Sequence, residues 1–521
     1  MKLRVEVIFR KMKYFFNYVL IAFVAVILYF SINTAIKNYG IIIAVSSVAT
    51  VIFLGLLFFQ IKEPSKRQTI ILLTVLLLLG VVLRAIWITN VPTVPVSDYE
   101  VMYRSAIDLA TGNSPFQEGS YFHRFPHLTV YVFTLAQIIK CFGSSLLPIK
   151  IINLLLQIAC IPILYGIGKT IKSRKTGLAA AFLYSIFPAS IAYSSVLITE
   201  NFAMPFFMLS LYFLIKAYQN TEPHKKMLSY VFLSGIFLTV GSLYRGVAPM
   251  YLAAYGIGIL TIFGTKVFCE GKTPAPNAGC AATFLSRECA SSRSVFCCIG
   301  KIFDFSYTTK KRKLSALFTL LVTYILIFQS VSVTLYQTGV TKYYLDKSAV
   351  PYTIYCLVGF NFETNGTFSA EDQNIYFEKN GNLEEIKKEI KTRLIERLTQ
   401  NPEKILLLFV TKTHAIWAQN DFAGIYWSKS ILDQYPNSLT TLYILSSIYS
   451  CTLLIGVFIY SIRYRKNDIT CLMGLLLLGF EGALMLMEVQ SRYTFIVSFV
   501  LQIMAALALT SSKSSEKEKL K

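Results

Sequence analysis

TIILLTVLLLLGVVLRAIWIT occupies residues 69–89. Its inner run from Leu72 to Leu79 proves little alone, but the whole stretch reaches the roughly 20 residues a helix needs to cross about 30 Å of hydrocarbon. Comparable stretches lie on both sides, near 15–32, 41–60, 146–168, 177–198, 201–217, 228–244, 247–264, 315–337, 440–462, 469–487 and 493–510. Composition agrees. The 521 residues are 55% hydrophobic and 15% charged, against about 25% charged in an ordinary soluble chain, and mean hydropathy is +0.55. The sequence therefore reads as an all-α polytopic membrane protein of about twelve spans, and the disordered, collagenous, secreted and soluble globular classes fall.

The net charge of +22 does not indicate a nucleic-acid partner, because the basic residues form short clusters between apolar runs instead of one contiguous face. That is the pattern of cytoplasmic loops. Met1 to Lys13 is basic, yet the following run is too long for a cleavable signal and has no small-residue cleavage site. With Lys2, Arg4, Arg10, Lys11 and Lys13 inside, residues 90–126 emerge outside after the third span. If the apolar helix at 127–142 crossed, Lys169, Lys172, Arg174 and Lys175 would lie outside, so it is expected on the outer surface. The helix at 403–418 is kept external by the same reasoning.

The expected organisation is a three-span segment (1–89), a first external loop (90–145), a five-span core (146–264), a basic cytoplasmic loop (265–314), one span (315–337), an external domain (338–439), three spans (440–510) and a basic tail (511–521). The 338–439 segment carries eleven Lys/Arg and twelve Asp/Glu, as a small folded domain would. Leu383, Ile386, Ile390, Leu394 and Leu398 recur there at helical spacing. Cys269, Cys280, Cys289, Cys297 and Cys298 fall in the cytoplasmic loop, where thiols stay reduced, and form no C-x-x-C pair. Only Cys356 lies clearly in the external domain, so no external disulfide framework is implied. Asn365-Gly366-Thr367 is a glycosylation sequon on that side.

A transporter should show ionisable residues or helix breaks in paired, symmetric halves. No such symmetry is evident, and Glu481 is a single intramembrane carboxylate. Carboxylates, His, Arg and Tyr concentrate instead in the first external loop: Ser97-Asp98-Tyr99-Glu100, Arg104, Asp108, then Tyr121 to His127. That is the composition of a site at a membrane surface.

The run VSDYEVMYRSAIDLATG, followed by SYFHRFPHLTVYVFTLAQIIKCFG, resembles the first external loop of membrane glycosyltransferases of the GT-C superfamily that take sugar from a polyprenyl phosphate. The resemblance is to the dolichyl-phosphate-mannose protein mannosyltransferase and aminoarabinose transferase branch. SSVLITENFAMP, LTVGSLYRGVAP and EVQSRYTFIVSFVLQIMAALAL agree in order and placement, so it extends over about residues 85–510.

The resemblance implies a GT-C-like helical bundle whose first-loop acid is the general base, here Asp98, drawing a proton from an acceptor hydroxyl as its oxygen bonds the anomeric carbon. Relatives often carry two adjacent acids; here Tyr99 separates Asp98 from Glu100, so either carboxylate is a candidate, and a helix cap is the competing role for Asp98. The leaving lipid phosphate needs cations, and Arg124, Arg245 and Arg492 are the external arginines placed for it. Arg104, His123, His127, Glu200 and Tyr493 complete the set of substrate-contacting candidates.

Each has a structural alternative. His123 and His127 have the i, i+4 spacing of zinc ligands, but Pro126 interrupts any helix between them. Glu200 either caps the next helix or faces the site, Arg245 competes as an interfacial anchor, and Arg492 as an ion-pair partner of Glu488. Trp417 and Trp427 serve either as interfacial anchors or as sugar-stacking surfaces.

No cofactor is specified, although a divalent metal is one such chemistry can use. The expected partners are a polyprenyl-phosphate-linked sugar, an external acceptor (protein, glycopolymer or lipid) and membrane lipids. Location is a bacterial cell membrane with the site outside, or an endoplasmic reticulum with the site in the lumen. The alternatives are a lipid-linked glycan polymerase or ligase, and a transporter or flippase of lipid-linked sugars.

Overall fold

A computed structural model describes residues 2–219, 224–263, 292–400, 402–418 and 423–510, with side chains described for all of these except 2–10, 292–310, 423 and 429–432. Cys269, Cys280, Cys289, the side chains of Cys297 and Cys298, and the basic tail lie outside the described residues. Those described form helices and connecting turns. In chain order they are α1 (Lys2–Tyr39), α2 (Ile42–Gln60), α3 (Lys66–Asn90), α4 (Asp98–Ala110), α5 (Tyr121–Arg124), α6 (Thr129–Phe142), α7 (Leu146–Ile171), α8 (Arg174–Ser185), α9 (Pro188–Tyr193), α10 (Thr199–Gln219) and α11 (His224–Tyr244). There follow α12 (Ala248–Ile262), α13 (Ser292–Gln337), α14 (Thr353–Gly359), α15 (Ala370–Glu378), α16 (Leu383–Gln400), α17 (Pro402–Trp417), α18 (Ala423–Leu432), α19 (Pro436–Arg463), α20 (Asp468–Leu486) and α21 (Ser498–Leu509).

Among the described residues ten helices are long and apolar enough to cross a membrane: α1, α2, α3, α7, α10, α11, α13, α19, α20 and the continuous Ser491–Leu509 stretch. The two other expected spans take different forms. The 177–198 stretch is a helix pair, because Pro188 lacks an N–H and cannot continue α8. Carbonyls at the end of α8 turn instead to Arg84 of α3, which donates to the oxygens of Tyr184 (3.4 Å) and Ser185 (3.2 Å). The 247–264 stretch contains the 15-residue α12, about 22 Å long at 1.5 Å per residue. The helices near 127–142 and 403–418 are α6 and α17, of 14 and 16 residues, shorter than the ten.

The ends of the bundle differ. At one, Lys13 meets Asp468 at 2.9 Å, the Tyr218 hydroxyl donates to the same carboxylate at 2.6 Å, and the Arg174 backbone N–H donates to Glu63. The loop from α3 to α4, the start of α10, the end of α11 and the turn after α20 all gather at the other.

Over that second end sit α14, α15 and α16. Asn382 accepts from the backbone N–H groups of Glu384 and Glu385 and so starts α16, which buries Ile386 and Ile390 against Ile354, Leu357 and Ile375. Arg397 grips the buried Asp372 with two hydrogen bonds of 2.8 and 2.9 Å. Burial opposes charge on Asp372, but hydrogen bonds from Arg397 and Asn361 outweigh it and hold the carboxyl below its usual range. Lys412 of α17 fastens this unit to the bundle, donating to the carbonyls of Gly359 (3.0 Å), Met485 (2.8 Å) and Met487 (2.7 Å). The approach at Gly359 is so close that a Cβ there would stand 2.4 Å from the Met487 carbonyl carbon.

Candidate active site

A cavity of about 1000 Å³ opens where these parts meet. One part is apolar: Met250 and Ala253 of α12 form its floor, between Tyr324 and Phe328 of α13 and Phe480 and Leu484 of α20. The other is polar and holds Asp98, Arg124, His127, Glu200, Arg245, Glu488, Arg492 and Tyr493.

Asp98 begins α4, where unpaired backbone N–H groups favour a negative side chain. Ser97 before it holds φ +53°, a conformation L residues seldom adopt, and makes no side-chain cap. Asp98 therefore does not act as the cap; its Oδ1 accepts from the Tyr121 hydroxyl at 3.0 Å, and its Oδ2 lies 3.8 Å from Arg492 Nη2. Arg492 also donates to the Tyr99 hydroxyl, and its guanidinium lies 5.4, 5.6 and 5.7 Å from the ring centroids of Tyr99, Trp427 and Tyr493. Its carboxylate partner is thus Asp98, not Glu488.

Glu200 lies in the first turn of α10, 3% exposed, with Oε1 3.4 Å from Arg245 Nη2. It faces the site. A buried polar network holds that turn in place: Gln157 of α7 donates to Asn201 (2.7 Å) and accepts from Ser190 (2.7 Å), which accepts from Arg84 (2.7 Å). Arg245, at the end of α11, lies over the Tyr493 ring at 5.2 Å and lines the cavity.

Three candidates stand elsewhere. Glu100 and Arg104 pair with each other at 2.6 Å on the exposed side of α4, because a helix turns the residue two beyond Asp98 away from it. His123 stacks on Tyr343 (centroids 4.8 Å) and accepts from the Gly119 N–H, whereas His127 faces the cavity. The two imidazoles have different neighbours, as the Pro126 break requires. Burial, then the charge of Arg245, lowers His127 to about 3, so it is neutral near pH 7. Among the described residues no group of three or more His, Cys, Asp or Glu is placed to hold a metal ion, so the residues present do not form a ligand set. Trp417 is buried, donating to Glu481 at 2.8 Å, and Trp427 packs edge-on to Tyr99. Cys356 is a free thiol.

Sequence reasoning placed Tyr99 and Tyr121 in the polar stretch of the first loop without giving either a role, and missed the cavity position of Glu488. Burial, with the Asp98 charge, pushes the Tyr121 hydroxyl far above its usual range, so it is a donor and not a base. Burial pushes Tyr99 up to about 12, against the pull of Arg492. Burial also raises Glu488, although Gln490 donates to it at 2.8 Å. The available signal was position, since Tyr99 adjoins Asp98, Tyr121 lies two residues before His123, and Glu488 lies four before Arg492.

Residues 126–286 match the model of the dolichyl-phosphate-mannose-protein mannosyltransferase family. No curated protein matches the chain. Among solved structures it is similar to the archaeal oligosaccharyltransferase AglB from Archaeoglobus fulgidus, in complex with an inhibitory peptide and a dolichol-phosphate, at 14% identity and a TM-score of 0.34. That similarity covers 86% of this chain and 57% of the other, so this chain spans little more than half of AglB. Over residues 126–286 the chain is thus similar to the dolichyl-phosphate-mannose-protein mannosyltransferases, the branch of GT-C membrane glycosyltransferases that its loop motifs resemble.

Proposed function

We propose that this protein is an inverting glycosyltransferase that moves a sugar from a polyprenyl-phosphate donor to an acceptor on the external face of a membrane. The observation that carries the reading is a cavity with two chemistries: apolar walls contributed by three helices of the bundle, and two arginines, each facing a carboxylate, at its polar end. A lipid phosphate has the same division. Its isoprenoid tail matches the Met250, Phe328, Phe480 and Leu484 surface, and its phosphate matches Arg245 and Arg492. The family match over residues 126–286 supports the same donor class.

In the reaction, Asp98 takes the proton of the acceptor hydroxyl as that oxygen bonds the anomeric carbon from the face opposite the phosphate. The bond between that carbon and the phosphate oxygen breaks with its electron pair on the phosphate. Arg245 and Arg492 stabilise the charge this leaves. Tyr121 and Arg492 orient the two Asp98 oxygens, so the base meets the acceptor in one geometry. The basic clusters at the opposite end of the bundle support an external site by the positive-inside rule.

The test is incubation of purified protein in detergent with a panel of polyprenyl-phosphate sugars and envelope fractions, followed by mass spectrometry of the recipient material. A new sugar on an acceptor, without any sealed compartment, is expected. Lipid-linked sugar that only changes leaflet in sealed vesicles, with no new glycosidic bond, would replace the enzyme with a flippase.

A further inference from the structure

The three cavity arginines are not equivalent. Arg245 and Arg492 each face a carboxylate, and both lie over the Tyr493 ring, beside the Gly246 to Met250 stretch that leads to the apolar floor. Arg124 is different. Among the described residues no carboxylate lies within ion-pair distance of it, and its buried Nε, like that of Arg492, has no hydrogen-bond partner. Its guanidinium instead lies 4.8–5.8 Å from four ring centroids, those of Phe377, Tyr376, Tyr121 and Phe125. Guanidinium faces covered by rings leave the N–H edge for a ligand in the plane, and a charged edge without a partner is completed by an anion.

Contacts link the polar end in series: Arg492 faces Asp98, Asp98 accepts from Tyr121, and the Arg124 guanidinium lies 5.7 Å from the Tyr121 ring centroid. Asp98 is thus linked directly to Arg492 and, through Tyr121, to Arg124, which packs against α15. Of the four rings around Arg124, Tyr376 and Phe377 belong to α15, which also contributes Gln373 and Asn374 to the cavity lining. Phe368 and Phe377 are 59% and 58% exposed at this rim. Flat apolar faces beside groups that both donate and accept match a sugar ring, whose C–H faces stack and whose hydroxyls do both. Among the described residues there is no strand edge for an extended peptide to pair with.

We infer that Arg124 belongs to the acceptor half of the cavity, and that the acceptor is an anionic saccharide whose charged group it holds while a neighbouring hydroxyl faces Asp98. The inference rests on the donor reading above. The anion is either a sugar carboxylate or a phosphate ester, which share the bidentate chemistry a guanidinium recognises.

Binding to the purified full-length protein separates the outcomes. The probes are trigalacturonate and its methyl ester, a mannose-6-phosphate oligosaccharide and its dephosphorylated form, a Ser/Thr-rich peptide, and decaprenyl phosphate. At least one charged saccharide is expected to bind in preference to its neutral counterpart, and the arm that binds identifies carboxylate or phosphate. Arg124→Met should weaken it about tenfold or more, with partial rescue by Arg124→Lys, while decaprenyl phosphate binding changes less than about threefold. Arg245→Met should show the reverse, and Phe377→Ala should weaken only the saccharide. The inference is overturned if neither charged saccharide binds, if charged and neutral forms bind alike, if only the peptide binds, or if Arg124→Met impairs decaprenyl phosphate as strongly as Arg245→Met. Wild-type protein that binds a charged saccharide but not decaprenyl phosphate would remove the donor reading instead.

Discussion

Replacing Asp98 by asparagine separates chemistry from architecture. The asparagine oxygen still accepts from Tyr121, so the hydrogen bond at 3.0 Å is conserved, and the side chain keeps nearly the same volume. What is lost is the carboxylate facing Arg492 at 3.8 Å. The Asp98 side chain is 50% exposed, so that ion pair contributes at most about 1 kcal/mol to stability. Removing a general base, in contrast, slows a reaction by about 10²- to 10⁴-fold, or about 3–5 kcal/mol of barrier. Thermal unfolding in detergent should therefore shift by no more than about a few degrees, while sugar transfer, followed by mass spectrometry of the acceptor, falls by about a hundredfold or more. Glu100→Gln is the control, since the exposed Glu100–Arg104 pair is worth about half a kcal/mol and lies outside the cavity. Transfer by Asp98→Asn within about threefold of wild type would refute the assignment of the base, and an unfolded variant would refute the small stability change expected of the substitution.

His127 gives a pH signature: its folded value of about 3 lies below the ordinary 6.5, so its stabilising contribution is complete above about pH 6.5 and is lost as pH falls toward 3, with a slope up to about 1.4 kcal/mol per unit. His127→Gln should flatten that part of a stability-versus-pH curve. Arg397→Met strands the buried Asp372 carboxylate and should destabilise the α14–α16 unit by about 3 kcal/mol, seen as faster hydrogen exchange over residues 353–400 without a matching change in α7 or α10. Gly359→Ala should displace that unit from the end of α20, because the added carbon meets backbone at 2.4 Å; lower transfer with an intact bundle is expected, and unchanged kinetics would mean that the cap does not form the site.

The helical architecture was legible because roughly twenty-residue apolar runs have few ways to satisfy their backbone groups in hydrocarbon. The helix pair at 174–193 was not. Pro188 is visible in the sequence, but a break inside the bundle also needs a donor for the freed carbonyls, and that donor, Arg84, is about a hundred residues away. The site shows the same division. Asp98, Glu200, Arg245 and Arg492 stood out as polar residues beside apolar runs. That Asp98 faces Arg492 across 394 positions, and that Glu100 does not join them, are facts of packing and helix phase. Tyr121 lies in the polar stretch the sequence marks, but its role is not legible there because a hydroxyl aimed at a carboxylate leaves no mark in composition.

The most direct test of the account is an experimental structure with decaprenyl phosphate bound. The predicted result is phosphate density within hydrogen-bond reach of Arg245 and Arg492, close to Asp98, with the isoprenoid chain along Met250, Phe328 and Phe480. Phosphate held instead at the Lys13–Asp468 end, or a cavity left without lipid, would contradict it.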